Sequence, residues 1–202
     1  MLCNKIRSGV ICLILTVTAF FMAGFTGSAK AKGEHMKKAL IVYGSFMGST
    51  IEVANAVKEE LEKAGFAVDA RAAGENVTDM SGYSLVVLGS AIHGAAPHPD
   101  ITAFVAENCG KLKQARTAVF IVCATITSAN AKIRAKAEKY PEKVAVCFTP
   151  ASTAVFGGVL GAPKGGFERF MAGLFLGLKE FGDFRDWVKI RQWAKSLACS
   201  AG

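Results

Sequence analysis

Clusters that could ligate a metal are missing from these 202 residues. The three histidines, His35, His93 and His98, form no zinc-like group, and none of the six cysteines has ligand spacing. No glycine-rich loop ends in Gly-Lys-Ser/Thr, which excludes a P-loop nucleotidase, and no G-x-G-x-x-G run exists to hold a dinucleotide. The chain has no lipobox before Cys3 or Cys12 and no twin arginine, and it contains neither an internal repeat nor a low-complexity linker. What is present is 51% hydrophobic and 20% charged, a globular balance that suits one α/β domain with an N-terminal extension.

The net charge of +8 is unevenly placed. Met1–Ala31 carries Lys5, Arg7 and Lys30 and no acid, so the remainder has 21 basic and 16 acidic residues, a balance of +5 that points away from nucleic acid. Lys5 and Arg7 precede an uncharged run, Val10–Phe25, that ends near Ser28-Ala29-Lys30-Ala31. A charged start, an apolar middle and a small-residue end are the anatomy of an export signal. The run is shorter than the roughly 20 residues of a spanning helix. Cleavage after Ala31 is therefore expected, with an uncleaved anchor as the alternative. The organisation expected is a leader at 1–31, a short linker at 32–36, one domain at 37–197 and a tail at 198–202.

Within that domain, strand-like and helix-like segments alternate. Ala39–Tyr43 is an apolar run, and Ile51–Ala64 repeats Val53, Val57 and Leu61 every four residues before Gly65 ends it. Phe66–Ala70, Leu85–Leu88 (closed by Gly89), Ala118–Ala124 and Val144–Phe148 complete five predicted strands. Helices are predicted over Pro99–Lys113, around Ala129–Lys139 and over Asp186–Leu197. Buried strands separated by helices predict a doubly wound, five-stranded parallel sheet covered on both faces. Of the body's cysteines (Cys109, Cys123, Cys147 and Cys199), Cys123 and Cys147 sit in apolar runs and read as small core residues.

Ligands of such a sheet bind beyond the strands' carboxyl ends, where strand order reverses. The loop after the first strand, Gly44-Ser45-Phe46-Met47-Gly48-Ser49-Thr50, offers three hydroxyls and a helix N-terminus to a phosphate without using a lysine. The alternative role of Ser49 or Thr50 is that of a helix cap.

Leu40-Ile41-Val42-Tyr43-Gly44-Ser45, Gly48-Ser49-Thr50 with Ile51-Glu52-Val53-Ala54, and Gly82-Tyr83 through Gly89-Ser90 together make Lys37–Leu197 resemble the flavodoxin-like family. The resemblance implies FMN, its phosphate on Ser45, Phe46, Met47, Gly48, Ser49 and Thr50. It also implies an isoalloxazine ring held between a loop containing Ser90, Ala91, Ile92, His93 and Gly94 and a second one at Cys123, Ala124 and Thr125. Within the family, Gly89–Gly94 with His98 and Phe104-Val105, then Gly157–Leu160, Pro163, Phe167–Met171 and Asp186-Trp187, are similar to the menaquinone-dependent protoporphyrinogen IX dehydrogenase type. That likeness implies an FMN-dependent oxidoreductase that passes electrons from a reduced organic substrate to a quinone or redox protein. The rivals are an exported electron carrier, a role usually filled by acidic proteins, and a binding module without cofactor.

His93 is the one ring in the two ring-side loops, as a flavin contact or as a solvent-facing residue. His98, between Pro97 and Pro99, reads as a helix-start residue rather than a general base, and no acid–base residue is assigned. Phe167–Phe181 carries an apolar stripe at helical spacing. It suits core packing, or a flap over a quinone or against a bilayer surface approached through the glycine-rich Gly157–Gly166. Lys132, Arg134, Lys136 and Lys139 read as a solvated helix face that could also steer an acidic partner.

Overall fold

A computed structural model describes residues 36–75, 77, 79–161, 166 and 182–200. The leader, Pro163 and the stripe Phe167–Phe181 lie outside them. The chain divides into two compact units, Met1–His35 and Met36–Gly202, of which the second is described here. No described helix is long and apolar enough to cross a membrane.

The elements alternate as strand and helix. In order they are β1 (Lys38–Gly44), α1 (Ser49–Lys63), β2 (Ala67–Ala72), β3 (Leu85–His93), β4 (Ala96–Pro97), α2 (Pro99–Gln114), β5 (Thr117–Val122), a 3-10 turn (Ala124–Thr127), α3 (Ala131–Ala137), α4 (Tyr140–Val144), β6 (Ser152–Phe156), β7 (Val159–Leu160), β8 (Gly182–Asp183) and α5 (Trp187–Ser200). Five parallel strands run in the order β2-β1-β3-β5-β6, so strand order reverses between β1 and β3.

Period-two alternation sorts the side chains into two cores. Ala39 and Ile41 of β1, Leu85 and Val87 of β3 and Phe120 of β5 pack with α1 and α5 on one face. Their neighbours Leu40, Val42, Val86, Leu88, Val119 and Ile121 pack with α2, α3 and α4 on the other.

Two predicted elements are corrected. Val144–Phe148 is not a strand: Tyr140, Val144 and Phe148 are buried at four-residue spacing, and α4 ends at Val144. The fifth strand is Ser152–Phe156, half-exposed because it lies at the sheet edge with β5 as its sheet neighbour. The third strand also runs past Gly89 to His93. The segment read as a loop folds back as a hairpin, pairing Ile92 with Pro97 and His93 with Ala96. Gly94 and Ala95 turn it with φ of 56° and 62°, the left-handed conformation a two-residue hairpin turn demands.

Cys147 is likewise not a free core residue: it forms a disulfide with Cys109 of α2.

On the α1–α5 side, the Glu60 carboxylate is only 4% exposed and accepts from Lys63 Nζ at 2.8 Å and Arg191 at 2.8 Å, with Lys195 Nζ at 3.7 Å. These hydrogen bonds, Lys63's first and Arg191's second, lower its pKa from 4.5 to about 2. A depressed carboxylate stabilises the fold fully above its unfolded pKa and loses that contribution as pH falls through the folded one. The melting temperature is therefore expected to fall between pH 5 and pH 3, and less steeply in Glu60→Gln. Thermal melts at stepped pH check this, and parallel profiles for the two proteins would refute it.

Candidate functional site

The carboxyl ends of β1, β3 and β5 meet at the reversal of strand order, and three segments converge there. The first is Ser45–Thr50. Ser45 Oγ accepts the Gly48 N–H at 3.0 Å, closing the loop on itself and leaving the serine proton to donate outward. Gly48 has φ 89° and stands at the N-cap of α1 with no side chain capping the helix. Ser49 and Thr50 are thus the first helical residues and not caps. Thr50 is fully buried, yet its Oγ1 has no hydrogen-bond partner. Buried hydroxyls are nearly always paired, so an orphan at a helix N-terminus marks a place for an acceptor.

No lysine is needed, but a carboxylate must be neutralised. Glu52 lies in the first turn of α1, where its charge would repel an anion. Arg185, 9% exposed, holds Glu52 Oε2 at 2.7 Å. Its Nε and Nη2 also clasp Asp183 at 2.8 and 2.7 Å, and its guanidinium lies 4.6 Å from the Trp187 ring centroid. The two carboxylates, Asp183's foremost, hold the guanidinium pKa above its ordinary value, and Arg185 in turn holds the Asp183 carboxyl below its own. Nothing local in the sequence signals this residue, because Glu52 and Arg185 come from opposite ends of the domain.

A fourth element borders the loop. At Gly158 a Cβ would sit 3.6 Å from Ser49 Oγ and 3.0 Å from Val122 Cγ1, so the bare backbone leaves the cradle open. Phe184 N donates to Gly158 O at 3.1 Å, and a Cβ at Gly157 would run into the Phe184 carbonyl. The start of the glycine-rich approach is therefore closely packed backbone leading into β7, which pairs with β8. The expectation of a permissive approach fails at these two glycines because each is required by a close neighbour.

The second segment is the β3–β4 hairpin. Ser90 is buried, its hydroxyl donating to Ala91 O at 2.9 Å and accepting His98 N–H at 2.9 Å, so it ties the hairpin to α2 from behind. Ala91 is buried and Ile92 half-buried, whereas His93, Gly94 and Ala95 are exposed. His98 is the N-cap of α2, its Nδ1 accepting from Asp100 N–H at 3.3 Å. It also lies over Gly44, where a Cβ would come within 2.7 Å of the imidazole.

Phe46, 50% exposed, rests on His98 with ring centroids 4.4 Å apart and lies 5.6 Å from His93. Phe46 and His98 thus join His93 in an aromatic group. Met47 is 88% exposed at the loop tip.

The third segment is the turn after β5. Cys123 is buried, and burial pushes its thiol pKa up, so it is a neutral group here. Ala124 opens the 3-10 turn, and Thr125 Oγ1 is a second buried hydroxyl without a hydrogen bond. All fourteen sequence-predicted site residues therefore lie on three segments at one edge of the sheet. Among the described residues no group of three or more His, Cys, Asp or Glu could hold a metal.

A family model described as a flavodoxin domain matches residues 40–174. No curated protein matches. Among solved structures, two-electron reduced flavodoxin from Megasphaera elsdenii is similar at 18% identity and a TM-score of 0.51, covering 80% of this chain and 98% of its own. The flavodoxin of Streptococcus pneumonia TIGR4 matches at 18% identity and 0.52, over 81% and 99%. Rubredoxin oxygen:oxidoreductase from Desulfovibrio gigas matches at 15% identity and 0.53, over 82% of this chain and 37% of its own. These likenesses show the fold, and flavodoxin-like homologues bind FMN. Because the family model spans well over half of the 202 residues, the chain belongs to the flavodoxin domain family.

Proposed function

We propose that the protein is an exported FMN-dependent oxidoreductase that passes electrons from a reduced organic substrate to a quinone or redox partner. It would be similar in kind to menaquinone-dependent protoporphyrinogen IX dehydrogenase. The observation that carries the FMN reading is the buried, unpaired Thr50 hydroxyl at the open N-terminus of α1. The residues fit the group. Ser45, Ser49 and Thr50 would hold the phosphate with the first-turn N–H groups, and Gly158 leaves room beside them. The hairpin at His93–Ala95 and the turn at Cys123–Thr125 would flank the ring. FMN, when bound, supplies reversible uptake of one or two electrons, and the protein contributes position and electrostatics.

Support for the finer reading comes from the sequence: Gly89–Gly94 with His98, Gly157–Leu160, Phe167–Met171 and Asp186-Trp187 carry the likeness to the dehydrogenase type, and the Phe167–Phe181 stripe is a separate feature. The stripe is amphipathic and suits contact with a quinone or bilayer surface. Export is supported by the leader and by the Cys109–Cys147 disulfide, since such bonds persist in oxidising compartments. A second reading, an electron carrier with no substrate of its own, is favoured by the near-complete coverage of solved flavodoxins.

The full chain purified in detergent is expected to show a flavin spectrum and to release FMN. Each lost hydrogen bond to the phosphate should cost about 1.5–3 kcal/mol, so Thr50→Ala should weaken FMN binding tenfold or more while leaving riboflavin binding unchanged. Colourless protein that takes up no FMN on titration would refute the reading. Bleaching of the flavin by a reduced tetrapyrrole precursor, with recovery on adding a menaquinone analogue, supports the dehydrogenase. Electron exchange with redox proteins alone supports the carrier.

A further inference from the structure

We propose that the exposed basic surface of α3 and α4 docks an acidic electron-transfer protein beside the flavin-side loops. The inference rests on the redox function proposed above and names the chemistry of its partner. Residues 132–143 hold five cations, Lys132, Arg134, Lys136, Lys139 and Lys143, against two acids, Glu138 and Glu142.

What distinguishes this surface from an ordinary solvated helix face is how its charges are used. On α1, on α5 and in the link before α5, Lys58, Lys63, Arg185, Lys189, Arg191 and Lys195 are each in a salt bridge. On α3 and α4 there is none among the described residues. Lys132, Lys136 and Lys139 are exposed and hold no side-chain partner there. Unpaired charges of one sign on adjoining helices project a field into solvent that ion-paired helices cancel.

The position of the surface gives that field a use. The 3-10 turn after β5 runs through Ser128 directly into α3, and Arg134 donates to Ser128 O at 2.5 Å. Lys143 of α4 donates to Ala95 O, 2.7 Å away at the tip of the β3–β4 hairpin. The cationic helices therefore adjoin both segments that would flank the ring, and an anionic protein seated on them would stand next to the flavin edge. Among the described residues α3 and α4 present no apolar wedge: Ala137, Tyr140 and Val144 face the core, and Val146 is the one exposed large apolar side chain close after α4 in sequence. A bilayer-binding face buries an apolar stripe in addition to its charge. A protein acceptor needs only complementary charge, which raises its association rate.

The test uses two one-electron acceptors of opposite surface charge, acidic plant plastocyanin and basic cytochrome c, with the reduced full chain in detergent. With FMN held between these loops, the two-electron reduced protein would pass one electron to each of two acceptor molecules and release the accompanying protons to solvent. The variant Lys132→Glu/Lys136→Glu/Lys139→Glu alters only side chains without a partner and spares Arg134 and Lys143, which hold the loops. The wild-type rate with plastocyanin should fall steeply with added salt, and the variant should be tenfold or more slower at low salt. Reoxidation by uncharged dioxygen should be the same in both, and cytochrome c should react faster with the variant.

Association with plastocyanin is also measured by fluorescence anisotropy without regard to flavin content. A failure to bind FMN then leaves salt-dependent, lysine-dependent association to decide the docking surface on its own. Equal plastocyanin rates, affinities and salt dependences for the two proteins overturn the proposal. So does a variant impaired only in binding vesicles that contain phosphatidylglycerol, which would assign the surface to a membrane.

Discussion

Phe120→Ala is expected to cost about 3–5 kcal/mol of stability, the range for removing a large aromatic from a packed core. Phe120 is fully buried in the interior strand β5, with its ring centroid 6.0 Å from Trp193 in an edge-on arrangement and 6.5 Å from Phe156. Trp193 in turn donates to Ser152 Oγ at 2.9 Å, so this one ring joins α5 to two strands. Its other side lies against the backbone of Gly89, where no Cβ could be placed without meeting the ring.

The reciprocal change, Gly89→Ala, is expected to cost about 1–3 kcal/mol by overpacking, and the two together less than their sum because the cavity left by Phe120 admits the methyl. Thermal or denaturant melts of the two single variants and the double check the cycle. Costs below about 1 kcal/mol for Phe120→Ala, or strict additivity, would contradict this packing.

Removing the disulfide should have an effect of similar size. Cys109 lies on α2 and Cys147 between α4 and β6, 38 residues apart in sequence with Cα atoms 6.0 Å apart. Closing a loop of that length restricts the unfolded chain by roughly 3–4 kcal/mol in the chain-entropy account. Adding reductant, or the paired change Cys109→Ser/Cys147→Ser, should lower the melting temperature by several degrees, and reductant should have no further effect on the double variant. Coincident melts of the wild type with and without reductant would show that the bond does not form. The bridge ties the helix that His98 caps to the segment behind the basic helices, so its loss should also loosen the hairpin side of the site.

Much of this architecture was legible in the sequence. Apolar runs at β1, β3 and β5 are buried on both faces and announce themselves by continuous hydrophobicity. The strand-to-helix junction between β1 and α1 was equally readable, because glycines and hydroxyl residues interrupt the apolar pattern there. The fifth strand was not, and the reason is physical. Ser152–Phe156 lies at a sheet edge and is mixed in polarity, whereas the helical spacing of Tyr140, Val144 and Phe148 concentrates apolar residues in a stretch that mimics a strand. The site's supports were also invisible: Glu52 with Arg185, Gly44 under His98, Gly158 beside Ser49, and Cys109 with Cys147 are each pairs far apart in sequence. Their partners are selected by the fold, and no local pattern encodes them.

The pairing of Leu160 with Gly182 has a consequence for how this domain can change. Leu160 and Gly182 face each other across β7 and β8, and Phe184, Arg185 and Trp187 anchor the return strand through contacts of their own. Chain that joins two paired positions can be lengthened or shortened at little entropic cost, since each doubling of a closed loop adds only about 0.6 kcal/mol. The β7–β8 pair thus holds Gly158 beside Ser49 whatever length of chain joins Leu160 to Gly182.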